Sequence, residues 1–285
     1  MKHVMAVVAI VLVVLVSGCT DNNTTQPMKT NEIVVLENTE AVPNEVKPER
    51  NFVLNGFVTN NAEEKVGNVR VELSDYCSSV FDVEKTTCAL TSSDGYSACA
   101  FQLGIGASKK FQWNLKAPTA ERTANRNFDC SMIVKTNYSY VSRGSVGVIF
   151  ANNAEIAARE AGLSSVTSDG PVKTYITIES PQPIGKDEIF DVKIVIRNEG
   201  AGEIEGGGIT KPNFKLAAPS ELTVNCDTPL FIDLSGTKKE SDPIFCTIKA
   251  PDSLPPRVTK YLTAELSYAY KFTSVLPVKL VVEKP

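Results

Sequence analysis

The chain has 285 residues and a formal net charge of −4 at pH 7, with 42% hydrophobic and 22% charged residues. The acidic excess argues against a protein that binds nucleic acid through phosphate contacts. The apolar content excludes a chain that is disordered throughout, and the length favours one to three folded domains.

The N-terminal segment 1–18 has the pattern of a secretory signal peptide. Lys2 supplies a positive charge, Val4 to Val16 is uninterrupted and apolar, and Ser17 and Gly18 are small. The apolar stretch is shorter than the roughly 20 residues that a bilayer-spanning helix needs. We therefore expect residues 1–18 to be removed, although a retained membrane anchor is an alternative.

The run Leu15-Val16-Ser17-Gly18-Cys19 resembles the lipobox of prokaryotic lipoproteins, archaeal ones among them. The resemblance implies that Cys19 becomes the first mature residue and carries lipid on its sulfur. The protein would then be anchored to the extracytoplasmic face of the cell membrane. Ordinary secretion with an incidental cysteine is the alternative.

The cysteine count supports lipid attachment, because seven is an odd number for an exported protein. Cys226 and Cys246 are isolated from the rest and are predicted to pair. The remaining four form two pairs whose connectivity stays open, namely Cys77, Cys88, Cys99 and Cys130. A zinc site is the alternative, but no C-x2-C pair is present.

Residues 19–50 are polar and contain several prolines around one apolar patch, Ile33 to Leu36. This composition predicts a flexible tether. Asn22, Asn23 and Asn137 lie in N-x-S/T sequons and are candidate glycosylation sites, if the host has the machinery.

From residue 51 onward, short segments of alternating polarity predict an all-β fold. In FDVKIVIRNEG, residues Phe190 to Ile196 place alternate apolar side chains on one face, and in GNVRVEL residues Val69 to Leu73 do the same. One segment, NNAEIAAREAG, has the pattern of a short helix that begins at Asn153 and stops at Gly162. Residues 151–170 are therefore predicted to be a helical connector.

The two halves of the chain have related sequences. Three pairs of like residues occur in collinear order and at a nearly constant spacing, namely Asn60 with Asn198, Pro118 with Pro251, and Tyr138 with Tyr268. Such order indicates a duplicated domain. We predict two tandem immunoglobulin-like β-sandwiches, at 51–150 and 171–285.

The strand Phe190 to Gly200, preceded by GPVKTYITIESPQPI, resembles the cell-adhesion-related (CARDB-like) immunoglobulin-like domains of prokaryotic surface proteins. The match is good over 171–285 and weaker over 50–150. It implies extracellular scaffolding or binding, and it brings no catalytic motif.

Few residues could support catalysis. The only histidine is His3, inside the predicted signal peptide, so histidine-dependent catalysis and histidine-ligated metals are not expected in the mature chain. Carboxylates such as Asp75, Asp82 and Glu84 leave a glycosidase as an alternative, although a solvated acidic surface is the simpler interpretation. No metal or cofactor is predicted.

Three other features have structural interpretations. The segment Gly206 to Gly208 is interpreted as a flexible connection between strands. Trp113 is expected to lie in a hydrophobic core. The tyrosines of NYSY and SYAY are expected to pack across strands, with an aromatic platform that binds a carbohydrate or a partner as the alternative.

We therefore expect a lipid-anchored structural or adhesive protein of the cell surface, without catalytic activity. Its partners would be the membrane and other envelope or surface proteins. A ligand-binding or transporter-associated accessory lipoprotein is the alternative, and the sequence leaves the ligand and the oligomeric state open.

Overall fold

A computed structural model describes residues 31–78, 80–86, 98–152 and 165–282. Within these ranges the chain forms strands and two short 3-10 turns, and no helix is long and apolar enough to cross a membrane. The all-β prediction is confirmed. The signal peptide, Cys19, Asn22, Asn23, Cys88 and the predicted helix at 153–162 lie outside the described residues.

The strands follow one another as β1 (Val34–Val42), β2 (Glu45–Val46), β3 (Asn51–Asn60), β4 (Val66–Asp75), β5 (Asp82–Thr86), β6 (Ala98–Leu103), β7 (Ser108–Lys116), β8 (Phe128–Ala151), β9 (Val166–Thr167), β10 (Val172–Ile178), β11 (Ile189–Asn198), β12 (Glu203–Ile204), β13 (Gly208–Thr210), β14 (Phe214–Ala217), β15 (Thr223–Cys226), β16 (Phe231–Asp233), β17 (Ile244–Lys249) and β18 (Arg257–Leu280). The 3-10 turns are Glu205–Gly207 and Lys211–Asn213. Alternating burial explains why these segments are strands: Phe190, Val192, Ile194 and Ile196 of β11 are all buried, as predicted.

Two four-stranded sheets have matching strand orders. The first sheet is β1-β3-β7-β5, and the second sheet is β10-β11-β17-β15. A central sheet contains β8 and β18, with β4, β6 and β9 on the β8 side and β2, β12 and β14 on the β18 side. A separate pair, β13 and β16, completes the described strands.

The central sheet is built on one long antiparallel ladder. β8 and β18 have 24 residues each and pair along their whole length, from Phe128 opposite Leu280 to Ala151 opposite Arg257. A strand of this length spans roughly 80 Å. The even-numbered side chains of both strands share one face, and most of them are buried, including Val134, Val148 and Leu262.

Each long strand also contacts strands from the other half of the sequence. The end of β8 packs on the second sheet, where the Phe150 and Phe190 ring centroids are 5.9 Å apart. The end of β18 pairs with β2, with Leu280 opposite Val46. The two halves are therefore interlocked through the ladder.

Strand registers repeat between the halves. Val34 pairs with Asn60, and Val172 pairs with Asn198. Val172 follows Val34 by the same number of residues as Asn198 follows Asn60, so the two pairs are equivalent in the two halves. In the same way, the pairing of Leu280 with Val46 has a counterpart in the bridge between Phe150 and Ile184. These registers support an internal duplication related by an approximate two-fold axis across the ladder.

The predicted tether extends too far along the chain. Residues 34–42 and 45–46 form β1 and β2, and Ile33, Val34 and Val46 are buried. The apolar patch within the polar segment supplies these buried side chains, so the prediction of a tether is wrong from residue 31 onward. The predicted end of the first domain, residue 150, lies at the end of β8. This part of β8 packs on the second sheet, so the first domain as predicted includes residues that contact the second half.

Disulfides join neighbouring strands and loops. Cys226 is bonded to Cys246, the pair that the sequence indicates, and their Cα atoms are 4.0 Å apart on β15 and β17. Cys77 is bonded to Cys130, one of the pairings that the sequence left open. Cys99 is also disulfide-bonded.

The contact between β8 and β10 can be tested at Gly144. A Cβ atom there would collide with the Thr174 carbonyl oxygen, and its distance from Thr174 Cβ would be 2.9 Å. We expect Gly144→Ala to lower the free energy of unfolding by about 1–3 kcal/mol, the usual cost of overpacking, measured by denaturant titration.

Gly104→Ala is the matched control, because a Cβ at residue 104 would meet its nearest atom at 4.0 Å. Equal stability of the two variants would contradict the packing of β8 on the second sheet.

Candidate functional site

A buried carboxylate lies at the middle of the ladder. Glu32 comes shortly before β1 and is only 9% exposed. Burial of a charged group is costly unless hydrogen bonds replace its hydration. The groups that provide those hydrogen bonds come from distant parts of the chain.

Four donors surround the Glu32 carboxylate. Oε1 accepts hydrogen bonds from the backbone N–H groups of Ala201 (2.8 Å) and Gly202 (3.3 Å) and from the Tyr270 hydroxyl (3.2 Å). Oε2 accepts one from the Tyr138 hydroxyl at 3.1 Å. Glu32 therefore links the segment before β1 to β8, to β18 and to the turn after β11 through hydrogen bonds.

The turn after β11 has its own buried amide. Asn198 Oδ1 accepts from the Gly200 N–H (3.2 Å), and Asn198 Nδ2 donates to the Gly202 carbonyl (3.0 Å). A Cβ on Gly200 would lie 2.6 Å from Glu32 Oε1, so only glycine allows the turn to approach the carboxylate this closely. This arrangement orients the donors of residues 201 and 202.

Four tyrosines form the centre of the buried face. The register places Tyr138 opposite Tyr270 and Tyr140 opposite Tyr268. Their ring centroids lie 5.6 Å and 6.3 Å apart, and all four side chains are buried. Cross-strand packing therefore explains them, and because the four rings are buried, the alternative of an aromatic platform for a carbohydrate or a partner is wrong.

Burial changes the acidity of these tyrosines. Desolvation, followed by the nearby Glu32 carboxylate, raises the pKa of Tyr138 and of Tyr270 well above the ordinary value. Desolvation also raises the pKa of Tyr268. All three hydroxyls remain protonated donors across the physiological pH range.

The approximate symmetry is broken at Glu32. Its counterpart in the second half, at the spacing that relates Asn60 to Asn198, is Gly170, where a Cβ would be 2.9 Å from the Tyr140 ring. By contrast, the turn is repeated in both halves: Asn60 Oδ1 accepts from the Ala62 N–H (2.9 Å), and its Nδ2 donates to the Glu64 carbonyl (2.9 Å). Only the first half carries a carboxylate at this position.

A groove lies on the opposite, solvent-facing side of the central sheet. Its two adjoining cavities, of about 410 and 270 Å³, share Asn213, Ser267, Tyr268 and Ala269 in their linings. Glu64, Lys65 and Gly67 border the larger cavity. The smaller one is bordered by Ile204, Glu205, Gly206, Gly208, Thr210 and Phe231.

The other residues singled out in the sequence have structural partners. Asp75 Oδ1 accepts from the Cys77 N–H, Asp82 pairs with Arg122 at 3.0 Å, and the Glu84 carboxylate lies 4.0 Å from Lys116 Nζ. Asn137 is half-buried in β8, between β4 and β18. Trp113 is fully buried in β7, which confirms its predicted place in a core.

Gly206 and Gly207 adopt φ values of 80° and 79°, in the left-handed region that favours glycine. They form the connection between β12 and β13, as the sequence indicated for this segment. Over the described ranges, no three Cys, Asp, Glu or His side chains come together as a metal site.

No family model and no curated protein sequence matches the chain. The candidate site therefore rests on its own geometry.

Sequence reasoning missed Glu32, Asn213 and Phe231. Glu32 lies next to the apolar patch that becomes β1, which is the one local signal of its burial. Asn213 and Phe231 come together only through the pairing of β13 with β16, in which Thr210 lies opposite Phe231.

Removal of the Glu32 carboxylate should destabilise the fold. Glu32→Ala would leave the Tyr138 hydroxyl and the backbone N–H groups of residues 201 and 202 without their acceptor, whereas the Tyr270 hydroxyl could still donate to Asn198 Oδ1 at 3.1 Å. Each unsatisfied buried donor costs about 1–3 kcal/mol. We expect a loss of at least about 3 kcal/mol in the free energy of unfolding, measured by denaturant titration.

Glu203→Ala is the control, because Glu203 is exposed and only 3.5 Å from Lys271 in a surface ion pair, for which a change below about 1 kcal/mol is usual. If both variants lose the same stability, Glu32 does not have the role described.

The buried tyrosines predict a stability limit at high pH. The folded state keeps these protons above about pH 10, whereas the unfolded chain releases them. Their contribution to stability is therefore complete below about pH 10 and is lost as the pH rises further. Tyrosinate absorbance and circular dichroism, recorded together, should show that one class of tyrosines ionises only as the protein unfolds. Reversible ionisation of all eight tyrosines in the folded state would contradict this.

Proposed function

We propose that the chain is a lipid-anchored protein on the outer face of the cell membrane, with a structural or adhesive role and no catalytic activity. Cys19 would carry the lipid. The described residues would form two immunoglobulin-like β-sandwiches, each made of one four-stranded sheet and part of the central sheet.

The observation that carries this proposal is the junction at Glu32. Only a short stretch of sequence separates Glu32 from Cys19, and Glu32 is hydrogen-bonded to both long strands of the ladder. An anchored chain would therefore join the folded part at the centre of its longest element. A connection of this kind suits a protein that holds a rigid body near a surface.

The disulfides support an extracytoplasmic location. Cys226 with Cys246 and Cys77 with Cys130 are bonded, and such bonds persist in oxidising compartments. The lipobox resemblance at residues 15–19 implies the same location.

The CARDB-like resemblance favours scaffolding or adhesion as the role. The repeated registers of β1 with β3 and of β10 with β11 are consistent with two related sandwiches. The groove at Ser267 to Ala269 is the specific observation that favours the second candidate, a ligand-binding accessory lipoprotein.

Lipid attachment can be tested at Cys19. We expect Cys19→Ser to move the protein from the membrane fraction to the soluble fraction, because the variant has no sulfur to which the lipid can be attached. Mass spectrometry of the N-terminal peptide should detect a lipid on the wild-type cysteine.

Asn22→Gln is the control and should stay in the membrane fraction. Cell aggregation assays with wild-type and deletion strains then test the adhesive role. A Cys19→Ser protein that remains in the membrane would contradict the anchor.

A further inference from the structure

We propose that the groove at Ser267 to Ala269 binds a neutral saccharide. This inference rests on the proposed function, because a cell-surface location would expose the groove to glycans. Three features support it: the strand pairing, the side chains at the groove and its two closed ends.

The groove exists because one strand is interrupted. In the first half, β4 pairs with β8 over residues Gly67 to Asp75, with two register shifts. In the second half, β14 pairs with β18 as far as Leu266, and β12 pairs from Tyr270 onward. Among the described strands, none pairs with residues 267–269 on that side of β18.

The intervening chain leaves the central sheet instead of crossing this gap. It passes through the 3-10 turn at Glu205–Gly207 into β13, which pairs with β16. Ile209 and Ile232 are buried and hold this pair against the core. The pair of strands β13 and β16 therefore forms one side of the groove.

The side chains at the groove combine polar and aromatic groups. Glu205, Thr210, Asn213 and Ser267 line the smaller cavity together with Phe231. The Asn213 Nδ2 donates to Thr210 Oγ1 (3.2 Å), which orients the amide. The Phe231 side chain is 45% exposed.

Sugars match this combination. A sugar ring has an apolar face of C–H groups, which can pack on the Phe231 ring, and hydroxyls at its edge, which can hydrogen-bond to amide, hydroxyl and carboxylate groups. The charged side chains that line the two cavities are Glu64 and Lys65 in the larger one and Glu205 in the smaller one, so the groove carries more negative than positive charge. The Glu205 carboxylate accepts hydrogen bonds from hydroxyls and repels anionic groups. A neutral saccharide is therefore favoured over an acidic one.

The closed ends of the groove argue against an added peptide strand. A strand pairing with residues 267–269 would soon meet β14 at one end and β12 at the other. A compact ligand entering from solvent avoids both. The larger cavity, of about 410 Å³, lies near the lower end of the usual range for small-ligand sites, roughly 300–1,000 Å³, and the adjoining cavity of about 270 Å³ lies just below that range.

The test uses the full-length protein, solubilised in detergent, on an array of neutral, amino and acidic saccharides, followed by calorimetry with the saccharides retained. We expect neutral saccharides to bind, and we expect Phe231→Ala and Asn213→Ala each to weaken binding at least tenfold. Phe231→Trp should keep the affinity.

Phe245→Ala is the matched control, because Phe245 is similarly exposed, at 54%, but lies on β17 of the second sheet. Thermal melting of each variant checks that it is folded. Failure to bind any saccharide, binding that survives Phe231→Ala, or capture of peptides from a peptide array in place of saccharides would overturn the proposal.

The experiments on Cys19 and on the groove test the lipid anchor and the saccharide site independently. Solubilised Cys19→Ser protein should bind the saccharide as well as the wild type does. A chain that binds sugar but carries no lipid would contradict only the anchor, and a lipid-bearing chain that binds no sugar would contradict only the saccharide site.

Discussion

The ladder between β8 and β18 is the constraint on which the rest of the structure depends. Side chains alternate along both strands, so the even-numbered residues share one face along the whole length of the ladder. The first and second sheets cover that face at its two ends. Because β8 packs on the second sheet, and β18 pairs with β2 and contacts β1, the buried side chains of the two halves form one core.

The buried carboxylate and the proposed binding groove lie where the internal symmetry is broken. Glu32 occupies a position that is Gly170 in the second half, and the gap beside Ser267 occurs where the first half has one continuous strand. A carboxylate with four donors and an interrupted strand are both costly departures from a regular sheet. Such departures are the places where a duplicated fold can acquire a new role.

Much of the fold could be predicted from local pattern. Alternation in β11 and β4 identified strands and their buried faces, and Asn198 followed by Gly200 identified a turn. Spacing identified the bond between Cys226 and Cys246. These features depend on residues that are close in sequence.

The remainder depends on pairing between distant segments. Alternation within β8 gives its faces but not its partner, so the ladder with β18 could not be inferred from the Tyr138 and Tyr268 repeats alone. Glu32 resembles a solvated charge in a polar tether, and its burial depends on donors at Ala201 and Gly202. The groove likewise requires the pairing of β13 with β16.

Native-state hydrogen exchange tests the central claim most directly, that the ladder makes the two halves one cooperative unit. With increasing denaturant, amides of the first sheet, the second sheet and the ladder should converge on a single opening free energy. Glu32→Ala should lower that value in both sheets together. If one four-stranded sheet opens while the other remains protected, the halves are independent and the account is wrong.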